Sequence, residues 1–238
     1  MILKVKSRFK PLYKQFIKLN ENIQNRQKIL NFKKQKWNKL ISYLKRKSKR
    51  YKKFKPQNQT QYVVSRYPNK WNSYKKGSYR NILQTYKKFK LLYGNFTKKK
   101  IKKFIAKAHN NHKNKNLTFL KLFESRLDTI LYRAKFSISI RAARQLITHG
   151  KIAVNNKKIY KQTYWLKPGD LISINTNSHK LIEKNLANSK IWPLPPKHLI
   201  INYKTLQIVF GTFSTLNLAN YFNFNLNLEK LLVDYFQI

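Results

Sequence analysis

The chain has 238 residues, with 53 Lys plus Arg against 7 Asp plus Glu and a formal net charge of +46. A lone globular domain with that charge repels itself, so the composition calls for a polyanionic partner, and nucleic acid is the obvious one. There is no cysteine, which excludes disulfides and cysteine metal sites, and no apolar run is long enough to span a bilayer. Residues 1–20 read as a basic arm, either extended along the nucleic acid or a disordered tail. Residues 21–54 turn helical: Ile23, Leu30, Trp37 and Leu44 recur every seventh place, Leu40 and Ile41 widen the stripe, and Lys33, Lys34, Lys36, Lys39, Lys45, Lys47, Lys49 and Lys52 crowd the rest. That spacing would allow a coiled-coil dimer, but like charges at its flanks oppose pairing. The helix is therefore expected to dock on its own chain or on RNA, with no homo-oligomer.

Pro56 stops the helix. In the loop that follows, over residues 56–77, Tyr62, Tyr67, Trp71 and Tyr74 alternate with Arg66, Lys70, Lys75 and Lys76. Interleaved rings and cations suit a loop laid into RNA; packing of the rings on neighbouring helices is the alternative. Helical spacing resumes over 79–92 and breaks at Tyr93-Gly94. Thr97 can cap a second helix from Lys98, with Ile101, Phe104, Ile105 and Ala108 on one face and Lys99, Lys102, Lys103 and Lys107 turned away. Residues 110–116 read as a polar linker.

The organising stretch is 124–174. Leu127, Ile130, Leu131 and Ala134 share one helical face, with Arg126, Thr129 and Arg133 on another. A second helix carries Ile140, Ala143, Leu146 and Ile147 on its apolar stripe, opposite Arg141, Arg144, Gln145 and Thr148. Ser139 can cap its start and Gly150 can end it in the left-handed region. Ile152 and Val154 alternate with polar residues, Asn155-Asn156 suits a tight hairpin turn, and Pro168-Gly169-Asp170 turns into a strand over 171–174. Beyond it, residues 175–190 are polar and variable in form. Residues 199–213 read as two strands around a turn at 202–205, and Leu228, Leu231, Leu232 and Tyr235 are spaced as in a helix.

No catalytic constellation is present. The acids are Glu21, Glu124, Asp128, Asp170, Glu183, Glu229 and Asp234, too sparse for a paired-carboxylate site. Asp128 is expected to pair with a neighbouring arginine and Asp170 to make a turn hydrogen bond. His109, His112, His149, His179 and His198 show no metal-ligand spacing with acids, and there is no glycine-rich phosphate loop or nucleophile elbow. The reading is of a non-enzyme without metal or cofactor.

Arg126-Leu127-Asp128, Ala143-Arg144-Gln145-Leu146-Ile147, Val154-Asn155 and Pro168-Gly169-Asp170, in that order and at those intervals, resemble the small RNA-binding domain named after the fourth protein of the small ribosomal subunit. Leu91-Leu92-Tyr93-Gly94 ahead of a basic helix, and Leu231-Leu232-Val233-Asp234-Tyr235-Phe236 at the end, also resemble that ribosomal family. Three places depart from its pattern. Ile140 stands where an arginine is usual, with Arg141 one place later; Lys135 replaces a glycine; and Asn155-Asn156 replaces Asn-Gly.

The resemblance implies an α+β protein: a basic helical domain closed by the C-terminal segment, with the small RNA-binding domain of two helices and a β unit inserted in it. The expected division is a basic N-terminal block over 1–78, a helical domain over 79–118, the RNA-binding domain over 119–180 and a C-terminal segment over 181–238 whose strands and helix return to the helical domain. The implied function is structural: binding small-subunit rRNA at a multi-helix junction of its 5′ domain, early in assembly, close to where mRNA enters and beside the fifth small-subunit protein. The expected RNA contacts are Arg126, Arg133, Ser139, Arg141, Arg144, Gln145, His149 and Lys151, supported by Lys99, Lys102, Lys103, Arg66, Lys70, Lys75 and Lys76. A usage rich in Lys, Asn, Ile, Tyr and Phe fits an A+T-rich organelle genome, so the mitochondrial matrix is the expected location, and the Lys-rich N-terminus is not patterned as a transit peptide. A free-standing assembly factor is the alternative, and an RNA-modifying enzyme carrying the same domain is a further one, though no part of the chain reads as a catalytic domain.

Overall fold

A computed structural model describes residues 12–19, 23, 35–50, 79–110, 114–188, 195–212, 228, 231 and 232. The chain divides into two compact units, 1–55 and 56–238. In the first, helix α1 (Leu12–Leu19) buries Phe16 and Leu19, and helix α2 (Gln35–Arg50) buries Leu40. Part of the expected extended arm is thus helical: Phe16 and Leu19 lie three apart, which suffices to make a buried helical face. Ile23, expected inside the long helix, is buried in a turn ahead of it.

In the second unit, helices α3 (Tyr79–Leu92), α4 (Lys98–His109) and α5 (Lys115–Glu124) meet around a cluster of rings. Phe123 is its hub, with ring centroids 4.9 Å from Tyr93 and Phe104, 5.0 Å from Phe89 and Phe119, and 5.5 Å from Phe96. Edge-on ring contacts of this kind favour a fixed arrangement beyond simple burial. α5 begins within the expected polar linker, because Phe119, Leu120 and Phe123 supply the apolar face that Lys115 and Asn116 do not advertise. α4 starts after Thr97 as expected, although the Thr97 hydroxyl makes no capping bond.

Helices α6 (Leu127–Arg133) and α7 (Ile140–Thr148) pack on each other and on a five-stranded antiparallel sheet. Its strands are β1 (Ile152–Val154), β2 (Lys157–Lys158), β3 (Leu171–Ile174), β4 (Leu199–Asn202) and β5 (Gln207–Phe210), in the order β2-β1-β3-β5-β4. Leu127, Ile130, Leu131, Ala134, Ala143, Leu146 and Ile147 meet Ile152, Val154, Ile172 and Ile174 in one core. Local chemistry sets the ends. Ser139 Oγ accepts from Ala142 N at 3.2 Å. Gly150, at φ +64°, closes α7 with Gly150 N donating to Ile147 O and Lys151 N to Leu146 O, the paired bonds of a left-handed helix stop. Asn155 and Asn156 both have positive φ, as a two-residue hairpin turn requires. Asp170 makes the expected turn bond, accepting from Lys167 N at 2.8 Å and from Asn155 Nδ2 at 2.9 Å, which ties the two turns together.

The region beyond residue 180 departs from the expected division. Residues 176–178 form a short 3-10 turn and helix α8 (His179–Ala187) follows, burying Ile182 in the same core. The strand pair β4–β5 appears where the alternation places it, but β5 pairs with β3, Leu171 opposite Val209 and Ile172 opposite Ile208. These strands therefore widen the sheet of the small domain. Leu199, Leu206, Ile208 and Phe210 complete its core, because β3 would otherwise expose an unpaired edge and an uncovered apolar face. Leu228, Leu231 and Leu232 are helical and buried; Tyr235 lies outside the described residues.

Candidate nucleic-acid interface

Two buried carboxylates decide which cations reach solvent. Glu124 ends α5 and is 0% exposed. It accepts from Arg133 Nη2 at 2.7 Å, Arg133 Nε at 3.0 Å and the Tyr93 hydroxyl at 2.5 Å. Burial and the Glu124 charge hold the Tyr93 phenol well above its usual range. Burial opposes the charge on Arg133, but Glu124 outweighs it and keeps the guanidinium more firmly protonated than an ordinary arginine.

Asp128, in the first turn of α6, is also fully buried. It accepts from Arg126 Nε and Nη2 at 2.9 and 2.8 Å and from Arg144 Nε at 2.8 Å. The remaining Arg144 nitrogens donate to the carbonyls of Gly94 and Tyr93, both at 2.9 Å. Those carbonyls are presented by the left-handed stop of α3, where Gly94 sits at φ +80° and a Cβ would lie 2.9 Å from Arg144 Nη2. Phe96 lies against both guanidiniums, 4.5 Å from Arg126 and 5.3 Å from Arg144. Backbone bonds from Leu127 N to Tyr164 O and from Leu166 N to Ser125 O cross the start of α6. Arg144 thus joins α7 to the turn after α3.

Three of the expected RNA contacts, Arg126, Arg133 and Arg144, lie in this joint. Arg126 is 1% exposed and holds Asp128 through Nε and Nη2. Arg133 is spent on Glu124 and Arg144 on Asp128 and two carbonyls, with side chains 12% and 20% exposed. A buried carboxylate needs hydrogen-bonded cations, and these arginines are the ones within reach. Ser139 is likewise buried, and its hydroxyl is the α7 cap. Arg141, Gln145 and His149 are exposed on the outer side of α7, with Lys151 half-buried just beyond it. Lys99, Lys102 and Lys103 are exposed on α4. Arg66, Lys70, Lys75 and Lys76 lie outside the described residues.

The sequence reading missed the parts of the joint that the segment just after α3 supplies, namely the Tyr93 hydroxyl, the carbonyls of Tyr93 and Gly94, and the Phe96 ring. Tyr93-Gly94 was visible as a helix stop, but nothing local shows that its carbonyls would face an arginine 50 residues later. Lys157 and Lys158, exposed on the hairpin, were also missed. Among the described residues Glu183 is the one exposed acid, since Asp170 is half-buried and held in its turn. The exposed charge among the described residues is therefore almost entirely positive. Among the described residues no acid, histidine or cysteine cluster could hold a metal, and no helix is long and apolar enough to cross a membrane.

The family described as the S4 domain matches residues 125–172, which run from the end of α5 into β3. Small ribosomal subunit protein uS4m of Marchantia polymorpha is 38% identical over 62% of this chain and 76% of its own length. Small ribosomal subunit protein uS4c of Pleurastrum terricola is 36% identical over 57% of the chain and 64% of its own length. For small ribosomal subunit protein uS4 of Aquifex aeolicus (strain VF5) the figures are 39%, 42% and 49%, so the match spans about half of that bacterial relative. With an RNA-binding S4 domain set beside an acid-poor helical segment and similarity over three quarters of the Marchantia polymorpha protein, the chain belongs to the uS4 family of small-subunit ribosomal proteins, structural rather than enzymatic.

Proposed function

We propose that the chain binds small-subunit rRNA at a multi-helix junction, chiefly through the outer side of α7, and supports assembly of the mitochondrial small subunit close to where mRNA enters. The fifth small-subunit protein is its expected neighbour there. The observation that carries this reading is the division of cations: the acids are buried on Arg126, Arg133 and Arg144, which leaves Arg141, Gln145, His149 and Lys151 outward. Lys99, Lys102 and Lys103 add a second cationic face on α4, and Lys157 and Lys158 a third on the hairpin. RNA helices that converge at a junction repel one another, and several cationic faces on one compact unit can neutralise them together. Ser139 serves this surface by fixing the start of α7. In the same reading, the helical residues near the C-terminus close against the 79–118 helices.

The experiment compares two charge reversals in the full chain. Arg141→Glu with Lys151→Glu should weaken binding to the small-subunit rRNA junction at least tenfold more than Lys180→Glu with Lys184→Glu on α8. Binding should also fall with salt, with a log–log slope of roughly −0.7 to −0.9 per phosphate contacted. Equal losses for the two pairs, or a flat salt response, would overturn the reading.

A further inference from the structure

Trp165 occupies an exposed position at the end of a lysine stripe. Its Nε1 donates to Leu122 O at 3.3 Å and Phe104 meets it edge-on at 6.3 Å, so the ring is held in place. It is nevertheless 44% exposed. Lys107 Nζ stands 5.9 Å from the ring centroid. Lys100, Lys103 and Lys107 follow one another at intervals of three and four, which puts them on one face of α4, and all three are exposed. A fixed aromatic ring beside a row of ammonium groups is the arrangement that takes a base on the ring and phosphates along the row. The flexible Lys107 stem can exchange the ring for a phosphate as a base arrives.

We propose that Trp165, with Lys103 and Lys107, is a stacking platform for an unpaired base of single-stranded RNA. The proposal rests on the rRNA-binding reading and deepens it by assigning a single-stranded segment to a face separate from α7. RNA is favoured over a protein partner by charge: every charged residue on α4 is a lysine. Stacking tolerates any base, so the site selects for strandedness and not for sequence.

The test uses the full chain with Trp37→Phe, Trp71→Phe and Trp192→Phe, which leaves Trp165 as the single indole. It is titrated with a labelled single-stranded oligoribonucleotide of roughly 12 nucleotides, and with a duplex of equal length. RNA anisotropy and Trp165 emission are read together. The single strand should quench Trp165 in step with the anisotropy rise, whereas the duplex should bind with little quenching. Trp165→Leu, which keeps an apolar contact for Phe104, should lose about tenfold in single-strand affinity and little for the duplex. Unchanged Trp165 emission while anisotropy rises, or wild-type single-strand affinity in Trp165→Leu, overturns the platform and leaves the rRNA reading standing. Absence of binding to either RNA overturns both. Emission that is silent to RNA but shifts to the blue in reconstituted small subunits identifies a protein occupant and also overturns it.

Discussion

Arg141 and Arg144 stand three residues apart on α7 and meet opposite fates. Arg144 turns inward to Asp128 and to the carbonyls of Tyr93 and Gly94, whereas Arg141 stays in solvent. The same contrast holds at larger scale between the joint built on Glu124 and Asp128 and the outer surface, where Glu183 is the one exposed acid among the described residues. In a chain with 53 cations and 7 acids, the position of each acid decides which cations become structural. An arginine near a buried carboxylate holds the fold together. One without such a carboxylate, such as Arg141, stays exposed and is the one the proposed reading assigns to phosphate.

The strongest way to break this comparison is to remove one acid. Asp128→Ala leaves Arg126 buried without a counter-ion and should destabilise the chain by about 3–5 kcal/mol, the usual cost of orphaning a buried charge. Arg141→Ala should cost less than about 0.5 kcal/mol. Urea denaturation of both variants measures the difference, and similar midpoints would show that the joint is no more important to the fold than the surface.

His198 probes the same joint by pH. It is buried beside the Phe210 ring, and burial pushes its pKa down to about 4, with Glu124 pulling it up and Arg133 pushing it down by smaller amounts. An unfolded histidine titrates near 6.5, so between those values the unfolded chain holds the extra proton. The stability tied to a neutral His198 is complete above pH 6.5 and is lost as pH falls toward 4, by at most about 3 kcal/mol. Urea melts at pH 7 and pH 4.5 should show a smaller loss for His198→Phe than for wild type. An identical loss would mean that His198 does not titrate as its burial implies.

The smallest effect sharpens the comparison at the turn between the two arginine-bearing helices. Lys135 holds φ +64°, a conformation unfavourable for any residue with a Cβ. Burial, then the neighbouring Arg133, lowers its pKa to about 8, and its ammonium lies 5.6 Å from the Tyr132 ring. Lys135→Gly should raise the urea midpoint by an amount worth about 0.5–1 kcal/mol, because relief of the backbone outweighs the lost ring contact. A lower midpoint would show that the ring contact outweighs the backbone strain.

Much of the small domain was legible because its signals are local. The α6 and α7 stripes, the Ser139 cap, the Gly150 stop, the Asn155-Asn156 turn and the Asp170 turn bond all depend on residues within a few positions of one another. α5 and α8 were missed because polar ends mask their apolar faces. The attachment of β5 to β3 was missed because partner choice spans almost forty residues and alternation alone cannot name it. The same limit left the partners of Arg126, Arg133 and Arg144 open: helical spacing separates them from the apolar stripe but cannot distinguish a solvent-facing side from one that faces a second domain element.

By itself, the sequence determined a cationic, cysteine-free chain with an RNA-binding helix pair and the family that pair belongs to. The tertiary structure alone decided which arginines are paired inside the fold and which stay exposed. Ion pairing acts over a few ångströms of space regardless of sequence separation, and Asp128 with Arg144, or Arg144 with Gly94, become neighbours only once the helices have packed.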